Sequence, residues 1–477
     1  MTVEDGTGLN DAGESPAPSP PSAPRSAPIP LSGLFAPEYR AYTIGVIAMM
    51  TMFGFEGIGI ATAMPVVAQD LGGLSMYAWA FNGYLVSSLV AMVIAGEWCD
   101  RAGPRLPMTV GATVFGLGAF IAGAAWNMPV LIGGRVIEGI GGGLCIVAVY
   151  VILGRAFPDA IRPRAFTLLS MAWVAPSIVG PFVAGFLTDY VSWRLVFWLV
   201  VPFIIPVVLL AQRLVRLGGG ADEAPPRWNR LMFAVAAATG LALLQEAGAR
   251  RDALGIALAI VALAILIPAL SRLLPHGALW FAPGLPTVVM MRGVLAGAFF
   301  AGEAFVPLAL HTLRGASTAQ AGLILTVGAL AWALGSQTQG RLYGRMPRGR
   351  LVEIGATLTA TCLLLLPLAL VPWLPFWIAA VPWFIGALGT GMCFGVIGTL
   401  TLEMSDPGDQ GTNSAAVQVL DSVGSVVCIG VAGAIFAGAH AADHVSAWTF
   451  VTMWWVMAAV ALGGAIAARR IPAAASS

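Results

Sequence analysis

The stretch Phe53 to Pro65, FGFEGIGIATAMP, is apolar and glycine-rich apart from one carboxylate, Glu56. Isolated charges recur in similar surroundings: Arg135 and Glu138 in GRVIEGIGGG, Arg292 and Glu303 in MMRGVLAGAFFAGEAFVPL, and Asp421 in AAVQVLDSVGSV. A charged group at the centre of a bilayer costs about 2.5–3.5 kcal/mol on insertion scales, so such groups face a cavity or a pathway by default. An acid out of reach of water can stay neutral and ionise when water arrives, which is the chemistry of proton exchange. Arg135 and Glu138 lie three residues apart on one helix face and can pair, for structure alone or for a site. Arg292 and Glu303 are roughly 16 Å apart along a helix, so their partners must come from other segments. Arg292 has the alternative of snorkelling to the surface. Trp79, Trp173 and Phe300 can line a cavity for aromatic or amphipathic molecules, or simply pack.

These residues need elements that carry them through lipid. Of 477 residues, 58% are hydrophobic and 10% charged, with mean hydropathy +0.86, against roughly 25% charged in soluble domains. Apolar runs of about 20 residues, the length of a membrane-spanning helix, recur from Ala41 onward. This is the composition of an all-α integral membrane protein; a barrel would show short alternating strands. Spans are expected near 39–66, 76–99, 107–126, 129–156, 162–189 and 194–216, then 230–248 and 253–274. Six more follow near 286–313, 318–342, 350–371, 375–402, 412–438 and 446–468, which makes about fourteen in a six, two, six arrangement. The corresponding division is a Pro/Ser/Ala-rich disordered tail (1–36), a first half (37–217), a linker (218–227), two middle helices (228–275), a second half (276–470) and a short tail (471–477). With the N-terminus inside, seventeen arginines flank the spans on that side and four on the other, so both termini are expected in the cytoplasm of a multi-pass cell-membrane protein.

Several chemistries are excluded. All 24 basic residues are arginine, so neither a Walker-type phosphate loop nor a lysine Schiff base is available. Cys99, Cys145, Cys362, Cys393 and Cys428 are scattered without CxxC spacing and read as small buried residues. His440 and His444 have helical metal spacing but no further ligand nearby, and no Ser-His-Asp constellation or basic-aromatic strip for nucleic acid is present. No enzyme, metal or cofactor is expected.

The turn GEWCDRAGPR carries Gly96, Asp100, Arg101, Gly103 and Arg105, and a weaker counterpart, GRLYGRMPRGR, follows the second span of the last block. It resembles the signature loop between the second and third spans of the major facilitator superfamily, where it is thought to latch the inner gate. Pro104 departs from the usual basic residue there, and Gly344 replaces the aspartate in the second copy. GRVIEGIGGG resembles the family's fourth-span segment, with Arg135 kept and Glu138 in place of glutamine. VAPSIVGPFVAG, with Gly180, Pro181 and Gly185, partly resembles the antiporter motif of the fifth span, although Pro176 and Ala184 stand where glycine is usual. SWRLVFW, and Glu56 nine residues before Pro65, resemble the sixth and first spans of the fourteen-span drug:proton antiporter branch; Ile58 and Ala61 replace two polar partners of that acid.

The resemblance implies two six-helix halves around a midplane cavity, driven by the proton gradient. It implies a monomer that exports small hydrophobic or amphipathic compounds such as drugs. A proton-coupled importer of a nutrient and a non-transporting membrane sensor are the alternatives.

Overall fold

The computed structural model describes residues 31–158, 161–211, 228–342, 345–406 and 409–472. The tail through residue 30, the linker 218–227, the end of the sixth span, Gly344 and residues 473–477 lie outside them. Fifteen helices and a few single 3-10 turns make up the described residues, with no strand among them. In chain order the helices are α1 (Arg40–Asp70), α2 (Tyr77–Ala102), α3 (Arg105–Gly123), α4 (Met128–Ala156), α5 (Arg162–Tyr190), α6 (Arg194–Trp198), α7 (Val201–Ala211), α8 (Trp228–Ala249), α9 (Ala253–Leu273), α10 (Leu285–Arg314), α11 (Thr318–Leu342), α12 (Arg348–Leu365), α13 (Ala380–Glu403), α14 (Gln410–Ala441) and α15 (Ala447–Ala468). Thirteen are long and apolar enough to cross a bilayer, and the stretch Arg194–Leu209 is a shorter apolar helix. That stretch is the sixth span, broken at Leu199 and Val200 into α6 and α7. Pro202 lacks the amide hydrogen that would bond back into α6, so the helix restarts there.

Local chemistry sets several of the boundaries. Asn127 caps α4 by accepting from the Val130 amide at 3.0 Å, and Asp252 caps α9 through Gly255 at 2.9 Å. Gly103 ends α2 at φ +75°, a backbone angle that side-chain-bearing residues rarely adopt, and so allows the sharp turn into α3. We call the side holding this turn the near face and the opposite side the far face.

Small residues decide how the helices pack, since lipid supplies no hydrophobic drive between them. A Cβ on Gly118 of α3 would fall 2.3 Å from the Glu138 amide nitrogen, and one on Gly141 of α4 2.2 Å from that of Phe115. Gly139 and Gly143 present the same bare surface to the α2 carbonyls of Tyr84 and Ser88. Helix α4 is therefore clamped between α2 and α3 backbone to backbone.

Helices α1–α7 and α10–α15 meet in a seam near the far face. Asp189, at the end of α5, accepts from the Thr318 and Ala319 amides at 3.1 and 2.9 Å, a carboxylate on the N-terminus of α11. Tyr77 donates to the Ala304 carbonyl at 2.7 Å, and Thr326 to that of Ile178 at 3.0 Å. Gly185 and Gly322 let α5 and α11 touch: a Cβ on Gly185 would lie 2.5 Å from the Ala319 Cα, and one on Gly322 2.4 Å from the Pro181 oxygen. Toward the near face the helices part. There, a crevice of about 260 Å³ lies between α2 and α4 (Met92, Glu97, Tyr150) and α14 (Thr412, Ala416, Val419).

A side chain at residue 185 meets backbone, which cannot yield. Gly185→Leu is expected to lose about 1–3 kcal/mol, read as a lower thermal midpoint in detergent. Gly180→Ala is the control. Its Cβ would meet Phe55 at 3.4 Å, an ordinary contact, so its midpoint should hold or rise, alanine being the better helix former by about 1 kcal/mol.

Candidate functional site

Between the two sets of helices lies a cavity of about 310 Å³. Its first wall is built on Arg135. The Nη1 of Arg135 donates to Glu138 at 2.7 Å and to Glu56, its Nε donates to the Ala80 carbonyl at 3.1 Å, and its guanidinium sits 4.6 Å above the Tyr84 ring. The side chains of Glu56, Arg135 and Glu138 are 4%, 5% and 0% exposed. Arg135 offers five donors in a fixed plane, so one guanidinium can serve two carboxylates and a carbonyl at once. The second oxygen of Glu138 is buried with no hydrogen-bond partner among the described residues. Two carboxylates facing one arginine leave one negative charge in excess, a place where a single proton can be held.

The second wall comes from α10, α11, α13 and α14. Arg292 Nε donates to Asp421 at 2.5 Å, with its guanidinium 3.5 Å from the Phe394 ring centre. This pair is more open than the first, at 16% and 25% exposure. Arg292 thus turns inward to another helix, where the sequence also allowed it to reach the surface. Glu303 lines the cavity half-buried, with neither a hydrogen bond nor an ion pair among the described residues. Around it stand Phe300 and Trp332, stacked at 6.3 Å, and Phe299 and Trp383, stacked at 4.8 Å. Rings in this arrangement suit flat or apolar ligands, and their faces also attract cations.

Of the residues singled out from sequence, Glu56, Arg135, Glu303, Asp421, Trp173 and Phe300 line this one cavity, while Glu138 and Arg292 touch it through their partners. Trp79 does not line it. The cavity side of α2 holds Phe81, Tyr84 and Leu85, and Trp79, two residues before Phe81, points roughly 200° away around the helix. In the near-face turn, Asp100 pairs with Arg155 of α4 at 3.4 Å and Arg101 with Glu97 at 3.5 Å; Gly96 lines the near crevice and Arg105 opens α3. The antiporter-like Pro181 and Gly185 lie in the far-face seam, whereas Gly180 packs on Phe55 of α1. His440 stacks on Phe436 at 6.0 Å. Tyr84, Trp332 and Trp383 were not singled out. Trp332 carried a readable signal, a lone large ring in the small-residue run GALAWALGS.

Paired helical walls with charges facing a central space, closed at one face and parted at the other, define a membrane transporter. The chain belongs to the Major Facilitator Superfamily, whose sequence profile matches residues 41–429. It is 25% identical over 445 residues to a "probable multidrug-efflux transporter" of Mycobacterium tuberculosis, covering 88% of this chain and 93% of that one. It is 26% identical over 436 residues to an uncharacterized MFS-type transporter of the same species, and spans 63% of that relative's length. Multidrug transporter protein MdtP of Bacillus subtilis is 33% identical over 171 residues, 36% of this chain and 32% of the relative. Among solved structures, the nucleoside transporter NupG superposes with TM-score 0.65 at 13% identity over 90% of this chain and 99% of that one. An inward-facing bacterial homolog of the human lysosomal transporter Spinster gives 0.59 at 15% identity, covering 91% and 98%. At such identities these two speak for the fold.

Removing Arg135 alone strands two carboxylates in a dry wall. Arg135→Met is expected to destabilise the protein by about 3–5 kcal/mol. Adding Glu56→Gln and Glu138→Gln to it should restore much of that loss, measured by thermal unfolding of the unaltered protein and both variants in one detergent.

Proposed function

We propose that this transporter is a proton-coupled exporter of small amphipathic compounds, with a preference for positively charged ones, working by alternating access. The observation that carries the reading is the charge balance of the cavity. Glu56, Glu138, Glu303 and Asp421 face Arg135 and Arg292, four acids to two arginines, within or bonded to one space. Ionised, the set has two negative charges in excess. A proton can take up one and a cationic substrate the other.

The seam at the far face and the crevice at the near face make this the state open to the near side. By its excess of arginines, that side is the cytoplasm. Export would then run as follows. A substrate enters from the near side and settles on the ring cluster beside Glu303. The seam between residues 37–217 and 276–470 parts, and the substrate leaves at the far face. Protons arriving from the far side neutralise an acid of the cavity and favour return. The coupling requires only that protons bind the two states with different affinity. Efflux relatives of similar length support the export direction. The antiporter-like Pro181 and Gly185 lie where the far gate must open, which also supports it.

Purified protein in vesicles tests the reading. Glu56→Gln, Glu138→Gln, Glu303→Gln and Asp421→Asn are each assayed for substrate-driven proton flux, and full coupling in all four refutes the scheme. Glu303→Gln should reduce transport of a lipophilic cation by about tenfold, the worth of one charge-assisted contact, and spare a neutral analogue. Uphill uptake in right-side-out vesicles, with none in inverted ones, would make the protein an importer.

A further inference from the structure

Helices α8 and α9 form a hairpin whose far-face end rests on α14. Between the three helices runs a groove of about 380 Å³, floored by aliphatic groups including Leu241, Leu244, Ile256, Val427 and Val431. Two polar groups stand over this floor at different heights.

The lower one is Gln245, 7% exposed. Its Oε1 accepts from the Asn82 amide at 2.6 Å, and the same Asn82 nitrogen donates to the Val426 carbonyl at 3.0 Å. The Val426 oxygen dictates which way the Asn82 amide faces, and Asn82 in turn dictates that Gln245 offers oxygen to it. The Nε2 of Gln245 is then turned away, with two donor hydrogens and no acceptor among the described residues. The open groove is where an acceptor for these hydrogens can sit.

The upper group is Arg251, past the end of α8 in the turn to α9; the two groups sit over Gly430 and Gly438 of α14, about 12 Å of helical rise apart. Its guanidinium crosses to α14 and fills the space over Gly438. Neighbouring Arg250 is neutralised by Glu246 at 2.9 Å and by Asp252 at 4.0 Å. Arg251 has no ion pair or hydrogen bond among the described residues, and it lines the groove from the turn between α8 and α9.

We propose that the groove holds one anionic glycerophospholipid of the far leaflet. Its phosphate pairs with Arg251, an ester carbonyl accepts from Gln245 Nε2, and one acyl chain lies along the aliphatic floor. The order of the groups along the groove, Arg251 over Gly438, Gln245 over Gly430, then the aliphatic floor, follows the order phosphate, ester, chain. A soluble anion would use Arg251 and leave both Gln245 and the floor unfilled. Since Gln245 also holds Asn82 of α2, and through it Val426 of α14, the lipid braces the middle hairpin to both sides of the transporter at the gate that is shut.

The test uses the full chain, delipidated in neutral detergent, with phosphatidylglycerol, phosphatidylcholine or inorganic phosphate added. Native mass spectrometry and thermal unfolding are the readouts. One phosphatidylglycerol per chain should be retained, with a raised midpoint, while phosphatidylcholine binds about tenfold more weakly and inorganic phosphate leaves the midpoint unmoved. Arg251→Gln, which keeps a polar side chain in the turn beside Gly438 and removes the charge, should bring phosphatidylglycerol down to the phosphatidylcholine level. Ala259→Phe, which fills the floor, should remove both. Equal retention of the two lipids by the unaltered protein, undiminished phosphatidylglycerol in Arg251→Gln, or a midpoint raised equally by inorganic phosphate would each overturn the proposal.

Discussion

Arg135 shares its guanidinium between Glu56 and Glu138 in a wall almost closed to solvent, and much of the first set of helices is arranged to make that possible. Each of these charges alone would be expelled from such a place or neutralised. Together they need three helices held to within a few tenths of an ångström. Glu56 comes from α1, Arg135 and Glu138 from α4, and the supporting Ala80 carbonyl and Tyr84 ring from α2. The glycines of α4 provide that rigidity. Gly139 seats the Tyr84 carbonyl, Gly142 the Tyr84 hydroxyl, and Gly118 of α3 closes on the backbone of Glu138 itself. The ion network and the glycine packing are one arrangement, since either without the other would leave charges unpaired or helices apart.

The opposite wall is built differently. Arg292 and Asp421 form a single, more exposed pair over Phe394, and Glu303 stands among four large rings with no partner among the described residues. A nearly closed wall built on one shared arginine thus faces a more open one, a difference that under the proposed cycle would let the first keep its geometry while the second receives the substrate.

Span number and order were legible in the sequence because lipid demands long apolar helices, a constraint readable residue by residue. The sixth span's break was foreshadowed only by Pro202, and apolar character alone reads straight through it. The local pair Arg135 and Glu138 was legible because both sit on one helix three residues apart. The bond from Arg135 to Glu56 joins positions 79 residues apart, and that of Arg292 to Asp421 spans 129, so nothing in local spacing could reveal them. Trp79 shows the opposite failure. A large ring in a span can line a cavity or pack, and which of the two depends on the face of α2 that turns inward, set by how α4 seats against it. Asp189 was invisible for a related reason, because its partners are the backbone amides of a distant helix.

Under the proposed export cycle the far-face seam must hold and yet let go, and its chemistry is suited to that. Among the described residues it includes five polar bonds, from Tyr77 to Ala304, Thr326 to Ile178, Asn82 to Val426, and the two amides on Asp189, set among glycine contacts. Hydrogen bonds between membrane helices average about 0.6 kcal/mol, so five together contribute roughly 3 kcal/mol. Moving a two-state equilibrium from 1:99 to 99:1 takes about 5.5 kcal/mol of differential binding, within reach of a ligand plus a change of charge. A seam of buried ion pairs would resist such a push, because breaking one leaves a charge stranded in lipid. Concentrating the buried ion pairs in the cavity walls, with the one carboxylate of the gate, Asp189, exposed, therefore keeps the expensive interactions intact while the inexpensive ones are exchanged.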